Sequence, residues 1–261
     1  MSRRSLPNLV AAVSFVLVSC GGGADLVEER TASPTPAESP SPTPVPGEAI
    51  AFRASDGVRI AGRLFGDGRV GVVLGHSIDG DQTEWWNVAE VIADAGSLAL
   101  TIDFRGYCPG EESGCSEDGT TAYAWRDLLA GAKLLRERGV KEIVLIGASM
   151  GGTAAILAAG HARPDVSGVI TLSAPTECCG METDKSVVAA AGAPMLFIAG
   201  RLDGDAPASA RAFSRWAGSS GEALILASGE HGTDLFGLAT PQVERRTTEL
   251  MLDFIAGIAR G

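Results

Sequence analysis

The residues best suited to covalent chemistry stand together at Gly147-Ala-Ser149-Met-Gly151. An unbroken apolar run, Ile143 to Ile146, precedes them, as in a strand buried on both faces. From Met150 the chain turns rich in alanine and leucine, the composition of a helix. A serine between a buried strand and a helix, flanked at both second neighbours by glycine, has the pattern of a nucleophile on a sharp turn. The turn leaves no room for side chains at Gly147 and Gly151. The helix start aims unpaired N–H groups and a positive dipole end at the same point, so an oxyanion could be stabilised there, with Met150 N–H as first donor.

Such a serine needs a base, and the chain has only His76, His161 and His231. His231 lies in Ser228-Gly-Glu-His-Gly232, a glycine-flanked loop after the last apolar strand, where an imidazole can swing onto a hydroxyl. His161 follows the Ser149 helix, at the other end of the strands, and reads as a surface or capping residue. His76 closes the third strand and reads as a scaffold for the loop that follows it. An acid must orient the base. Two carboxylates, Asp203 and Asp205, follow the strand at 193–199.

The elements that must hold these groups alternate. Apolar runs at 48–55, 58–65, 70–76, 97–103, 143–146, 166–172, 193–199 and 222–227 have strand patterns. Helical patterns fill 81–95, 123–138, the stretch from Met150, 184–191, 206–216 and 241–259. Ser55-Asp-Gly57 marks a hairpin turn between the first two strands. The order predicts an α/β fold: about eight strands, mostly parallel, with an antiparallel edge and helices on both faces. Reactive groups should collect at the carboxyl ends of the strands.

Over residues 48–261 the chain resembles the α/β-hydrolase superfamily, through Gly147-Ala-Ser149-Met-Gly151, the order serine, acid, histidine, and the strand count. It looks closest to the small lidless members, similar to dienelactone hydrolases and serine aminopeptidases. The resemblance implies a triad of Ser149, Asp203 and His231. Asp203 matches the family spacing of glycine, two residues, then aspartate from Gly200; Asp205 is the runner-up, or else the cap of the helix from Ala206. The resemblance also implies a second oxyanion donor in the loop after the third strand, Ile78 N–H, with Ser77 as the alternative. Where the family commonly has His-Gly, this chain has His76-Ser77. In the family a lid, where there is one, usually enters between the sixth strand and the strand bearing the acid; here only about twenty residues separate Leu172 from Ala193, too few for a helical cap.

The amino terminus has its own logic. Arg3-Arg4 precedes an apolar segment from Leu9 to Val18, too short to span a bilayer comfortably. Leu17-Val-Ser-Cys20 follows, and the whole resembles a bacterial lipoprotein signal. That resemblance implies a signal peptide at 1–19 and a lipidated Cys20. Residues 20–47 are rich in proline, serine and threonine, the composition of an extended tether. At ~3.1 Å per residue it could reach at most about 80 Å. Residues 48–261 form the catalytic domain, so the protein would sit on the extracytoplasmic face of the cell membrane.

The formal charge is −11 and no basic cluster follows Arg3-Arg4, which argues against nucleic-acid binding. Of the other four cysteines, Cys108 and Cys115 share one loop and can close a short ring; export makes a disulfide plausible. Cys178 and Cys179 are adjacent; a bridge between them would be strained, which favours pairing elsewhere or free thiols, and their pairing stays open. The cysteine spacing is not that of a zinc site, and the reading needs no metal or cofactor.

The expectation is an exported, lipid-anchored, monomeric serine hydrolase that cleaves small esters, thioesters or amides through an acyl-enzyme. A serine peptidase or acyltransferase on the same fold is the alternative, and a non-catalytic binding domain is the rival class.

Overall fold

The computed structural model describes residues 46–108, 115–162 and 166–261. Cys20, the signal-like segment and nearly all of the proline-rich stretch lie outside the described residues.

Eight strands form one sheet. They are β1 (Glu48–Arg53), β2 (Arg59–Phe65), β3 (Val70–Gly75), β4 (Leu98–Ile102), β5 (Glu142–Ala148), β6 (Gly168–Leu172), β9 (Met195–Gly200) and β10 (Gly221–Leu226). A two-stranded ribbon, β7 (Glu177–Cys178) with β8 (Met181–Glu182), stands apart. The sheet order is β1-β2-β4-β3-β5-β6-β9-β10. β2 runs antiparallel to both β1 and β4, and every other pair is parallel. The expected antiparallel edge is therefore present. The Ser55-Asp-Gly57 turn closes through Gly57 N–H to Ala54 O and Ala54 N–H to Val58 O.

The order reverses between β3 and β5. After β3 the chain moves to β4 on one side; β5 then returns to the other. Loops leaving the carboxyl ends of these two neighbours diverge and open a crevice. The loop after β3 and the turn after β5 both emerge there.

The helices are α1 (Trp86–Asp94), α2 (Ala124–Glu137), α3 (Met150–His161), α4 (Lys185–Ala191), α5 (Ala206–Ala217) and α6 (Pro241–Arg260). Strand side chains alternate between two cores, as a pleat requires. On β5, Ile143 and Leu145 join Leu128, Leu135 and Phe213 from the α2 and α5 side. Val144 and Ile146 join Val88, Ile92, Met251 and Ile255 from the α1 and α6 side. α3 is buried from Met150 to Ala159, which explains why its sequence has no polar face.

The pattern at 81–95 resolves into two parts. A 3₁₀ turn, Gln82–Trp85, leads into α1, and Asp81 caps the turn by accepting Thr83 N–H at 2.7 Å. Asp184 caps α4 in the same way. α4 and the ribbon occupy residues 173–194, between β6 and β9, and pack on α3. The start of the connection after β4 is held by the buried Arg105, whose guanidinium pairs with Asp127 at 2.6 Å and Asp56 at 2.7 Å. Hydrogen bonds from the Arg105 guanidinium, helped by its charge, hold the Asp56 carboxyl down at about 2.

Candidate active site

Ser149 has φ 48° and ψ −114°, a left-handed strained conformation, between β5 and α3. Its N–H donates to Leu172 O at 2.8 Å, which fixes the turn to the end of β6. The flanking glycines are steric necessities. A Cβ on Gly147 would run into the backbone of Gly151 and stand 2.5 Å from Gly152 N. A Cβ on Gly151 would run into Gly75 O, with His76 O at 2.8 Å. The two sharp contacts fall on backbone, which has no rotamer to escape into.

His231 and Asp203 meet from separate loops. His231 Nδ1 lies 2.9 Å from Asp203 Oδ1. A carboxylate only accepts, so Nδ1 carries the proton and Nε2 is left as the proton acceptor. Asp203 is nearly buried and His231 about half exposed, with relative side-chain exposures of 11% and 48%. Asp205 lies at the N-terminus of α5 and is exposed; its side chain makes no capping bond. The backbone therefore brings Asp203, not Asp205, to the imidazole.

The His231 loop is fastened beside the serine turn. Gly232 N–H donates to Ser173 Oγ at 3.0 Å, and a Cβ on Gly232 would stand 3.3 Å from Ala148 Cβ and 3.2 Å from Ser77 Oγ. Ser149, His231 and the loop after β3 are thus neighbours at one sheet edge.

In that loop His76 is fully buried. Phe104 N–H donates to its Nε2 at 3.0 Å, so its Nδ1 carries the proton and donates to Ser77 O at 2.6 Å. Burial pushes His76 down to about 4, which keeps it neutral. It is a scaffold, as its place in the sequence implied. Ser77 N–H donates to Glu84 Oε1 at 2.8 Å and is occupied. Ile78 carries the next N–H, and its side chain is partly exposed. Tyr107 OH donates to Ile78 O at 2.8 Å and lies 3.7 Å from Met150 Sδ, so one phenol touches both residues expected to supply oxyanion donors.

His161 ends α3 and stacks on Trp125, ring centroids 4.3 Å apart, away from this edge. Cys108 is bonded to Cys115, with Cα atoms 4.1 Å apart. Cys178 and Cys179 are bonded to each other, resolving the pairing that their adjacency left open. Cys179 has φ 59°, in the ribbon turn between β7 and β8. Among the described residues no cluster of histidine, cysteine and carboxylate side chains could hold a metal ion.

A shallow cavity of about 250 Å³ adjoins the site, lined by Ile78, Asp79, Gly80, Asp81, Tyr107 and Cys108 among others. A larger one, about 740 Å³, lies at the opposite sheet edge, between the starts of β3 and β5 and the end of α6. Its distance from Ser149 separates it from this chemistry.

Reading the sequence alone missed Glu84, Tyr107 and Ser173. Glu84 lies within a stretch notable mainly for its apolar periodicity. The one available signal was Ser77, a hydroxyl where the family commonly has glycine.

The alpha/beta hydrolase fold family model matches residues 63–253, and the chain belongs to that family. Solved structures with the same fold include the Pyrococcus furiosus esterase Pf2001, at 17% identity and a TM-score of 0.65, covering 80% of this chain and 91% of that one. A thermophilic esterase from Thermogutta terrifontis is similar at 16% identity and a TM-score of 0.63, covering 81% and 99%. Est1E from Butyrivibrio proteoclasticus, with ferulic acid bound, is similar at 17% identity and a TM-score of 0.64, covering 82% and 100%. No curated protein matches the chain.

Proposed function

We propose that the protein is a serine hydrolase that cleaves small carboxylic esters through an acyl-enzyme on Ser149. The observation that carries this reading is Ser149 at φ 48°, on the turn between β5 and α3, beside the loop that bears His231, itself paired with Asp203 from the loop after β9. Ser149 Oγ attacks the ester carbonyl and its proton passes to His231 Nε2. Asp203 stabilises the imidazolium through Nδ1–H. The carbonyl oxygen takes the negative charge and is held by Met150 N–H and Ile78 N–H. The intermediate collapses, the C–O bond to the alcohol breaks, and the alcohol leaves with the proton from His231. Water then repeats the sequence on the acyl-enzyme, with His231 again as base, and releases the acid.

The segment at 173–194 packs on α3, and His231 is half exposed, so the site is open to water. A shallow site buries a short acyl chain, where each further buried methylene adds up to ~0.8 kcal/mol until the walls end. Acyl groups of roughly two to six carbons should be the best substrates, with no jump in rate at the micellar concentration. The fold relatives that are esterases favour the same substrate class. The reading extends to location: Cys20 carries a lipid, residues 20–47 are the tether, and the domain works at the outer face of the cell membrane.

The test is labelling with a fluorophosphonate, followed by turnover of an acyl-ester panel. Wild-type protein should be labelled at Ser149 and Ser149→Ala should lose labelling and turnover while melting normally. A Ser149→Ala variant that retains turnover would sink the assignment.

A further inference from the structure

The proposed nucleophile and base hang from consecutive residues. Leu172, the last residue of β6, accepts Ser149 N–H through its carbonyl at 2.8 Å. Ser173 comes next, and its Oγ accepts Gly232 N–H at 3.0 Å, one residue past His231. Ser173 N–H donates to Ile198 O at 2.8 Å, on β9, the strand that leads to Asp203. Two adjacent residues thus meet all three elements that carry the proposed triad.

Ser173 has φ 57°, in the left-handed region that favours glycine, and is 2% exposed. A glycine would adopt that φ without strain but would lack the hydroxyl. What the hydroxyl does is seen at its partner. His231 is the N-cap of the 3₁₀ turn Gly232–Phe236 and makes no side-chain capping bond. The first N–H groups of such a turn have no partner within it, and Gly232 is buried. An N-cap side chain ordinarily accepts from one N–H of the first turn. Here the cap position is held by an imidazole committed to Asp203, and an acceptor arrives from the end of β6 instead.

We infer that Ser173 is a positioning residue: its buried hydroxyl caps the His231 turn from outside, which frees the imidazole from capping and holds it at a fixed place beside Ser149. The inference rests on the hydrolase reading for its catalytic consequence and on the hydrogen bonds alone for the anchor. Without the hydroxyl, Gly232 N–H becomes a buried donor with no acceptor, and the turn must move to find one. Toward the sheet there is little room. A Cβ on Gly232 would already stand 3.3 Å from Ala148 Cβ and 3.2 Å from Ser77 Oγ. The way open is outward, and it draws the half-exposed His231 from Ser149.

The experiment compares full-length wild type with Ser173→Ala and Ser173→Gly. Hydrogen exchange is followed at 231–236, with 70–75 and 143–148 as the sheet reference, alongside thermal melts and steady-state hydrolysis of a short acyl ester. Both variants should speed exchange at 231–236 by about tenfold or more and leave the sheet reference unchanged. In both, kcat should fall by about ten- to a hundredfold with KM within about twofold, since a small misplacement of the base acts on the transition state. Ser173→Gly should melt above Ser173→Ala, because glycine takes φ 57° without strain, and still be no more active. A residue with a merely structural role would instead regain activity along with Tm. Unchanged exchange at 231–236 in both variants overturns the anchor. Faster exchange with unchanged kcat, or a Ser173→Gly variant with wild-type kcat, overturns the positioning role. Wild-type protein that takes no fluorophosphonate at Ser149 counts against the hydrolase reading alone, and exchange at 231–236 still decides the anchor.

Discussion

Gly151→Ala tests whether the serine turn is built by steric exclusion. The residue is second in α3, where alanine in place of glycine ordinarily stabilises a helix by about 0.5–1 kcal/mol. Here the added methyl meets Gly75 O, Gly75 C and His76 O, all backbone of β3 and its loop. Overpacking costs about 1–3 kcal/mol, and a clash with backbone belongs in the upper half of that range. The net expectation is a loss of about 1–2 kcal/mol. For a domain of this size that lowers Tm by about 2–8 °C. Gly257→Ala is the matched control, since Gly257 is in α6 with nothing within 4 Å of the added Cβ. It should raise Tm by about 1–4 °C, the propensity gain alone. Paired thermal melts of the purified domain read the difference, and opposite signs are the expected outcome. Turnover in Gly151→Ala should fall at least about tenfold, because Met150 N–H moves with the helix start. A Gly151→Ala variant as stable as Gly257→Ala would refute the steric argument.

Three further outcomes follow from the structure. His76 is neutral when folded, with its pKa pushed below the unfolded value to about 4, so its share of stability is full above about pH 6.5 and is lost as pH falls toward 4. That share is on the order of 3 kcal/mol, and melts of wild type against His76→Gln from pH 4 to 7 should show a flatter profile in the variant. Glu84 and Asp103, both raised to about 7 by burial, act with the opposite sign in both proteins, so the comparison isolates His76. Asp203→Asn should cut kcat by orders of magnitude by disturbing the tautomer of His231, while Asp205→Asn stays within about twofold; steady-state kinetics on one short ester decides, and the reverse ranking moves the role to Asp205. Cys20→Ala should release the full-length protein from membranes in a bacterial host, and intact mass of wild type should show an acylated Cys20.

The fold was legible because each level of the sequence agreed. Ile143 to Ile146 is apolar on both faces since β5 lies at the centre of the sheet between two cores. The Ser149 turn was legible because only glycine fits at Gly147 and Gly151. The choice between Asp203 and Asp205 was not a property of the residues themselves. The family spacing from Gly200 favoured Asp203 by resemblance; physically the choice depends on where the chain points after Gly200, and the structure places Asp203 Oδ1 2.9 Å from His231 Nδ1. Glu84 was hidden for a related reason. It takes the Ser77 amide, 7 positions back on another loop, and periodicity reports which face a residue occupies, not whom it meets. Cys178 and Cys179 were ambiguous because adjacency alone fixes no backbone turn; the left-handed φ of Cys179 accompanies the pairing seen.

The two halves of the proposed machinery are held with unequal strength. Ser149 hangs from Leu172 O in the middle of the sheet, and freeing it means parting β5 from β6. His231 rides on an exposed loop held by Asp203 and Ser173. Warming should therefore disengage the base by local opening well before the domain melts. Inactivation in that interval would be a reversible loss of alignment, regained on cooling, while inactivation above it would track the unfolding rate of the sheet. The working temperature of this protein is then set by a loop of a few residues, not by the stability of its core.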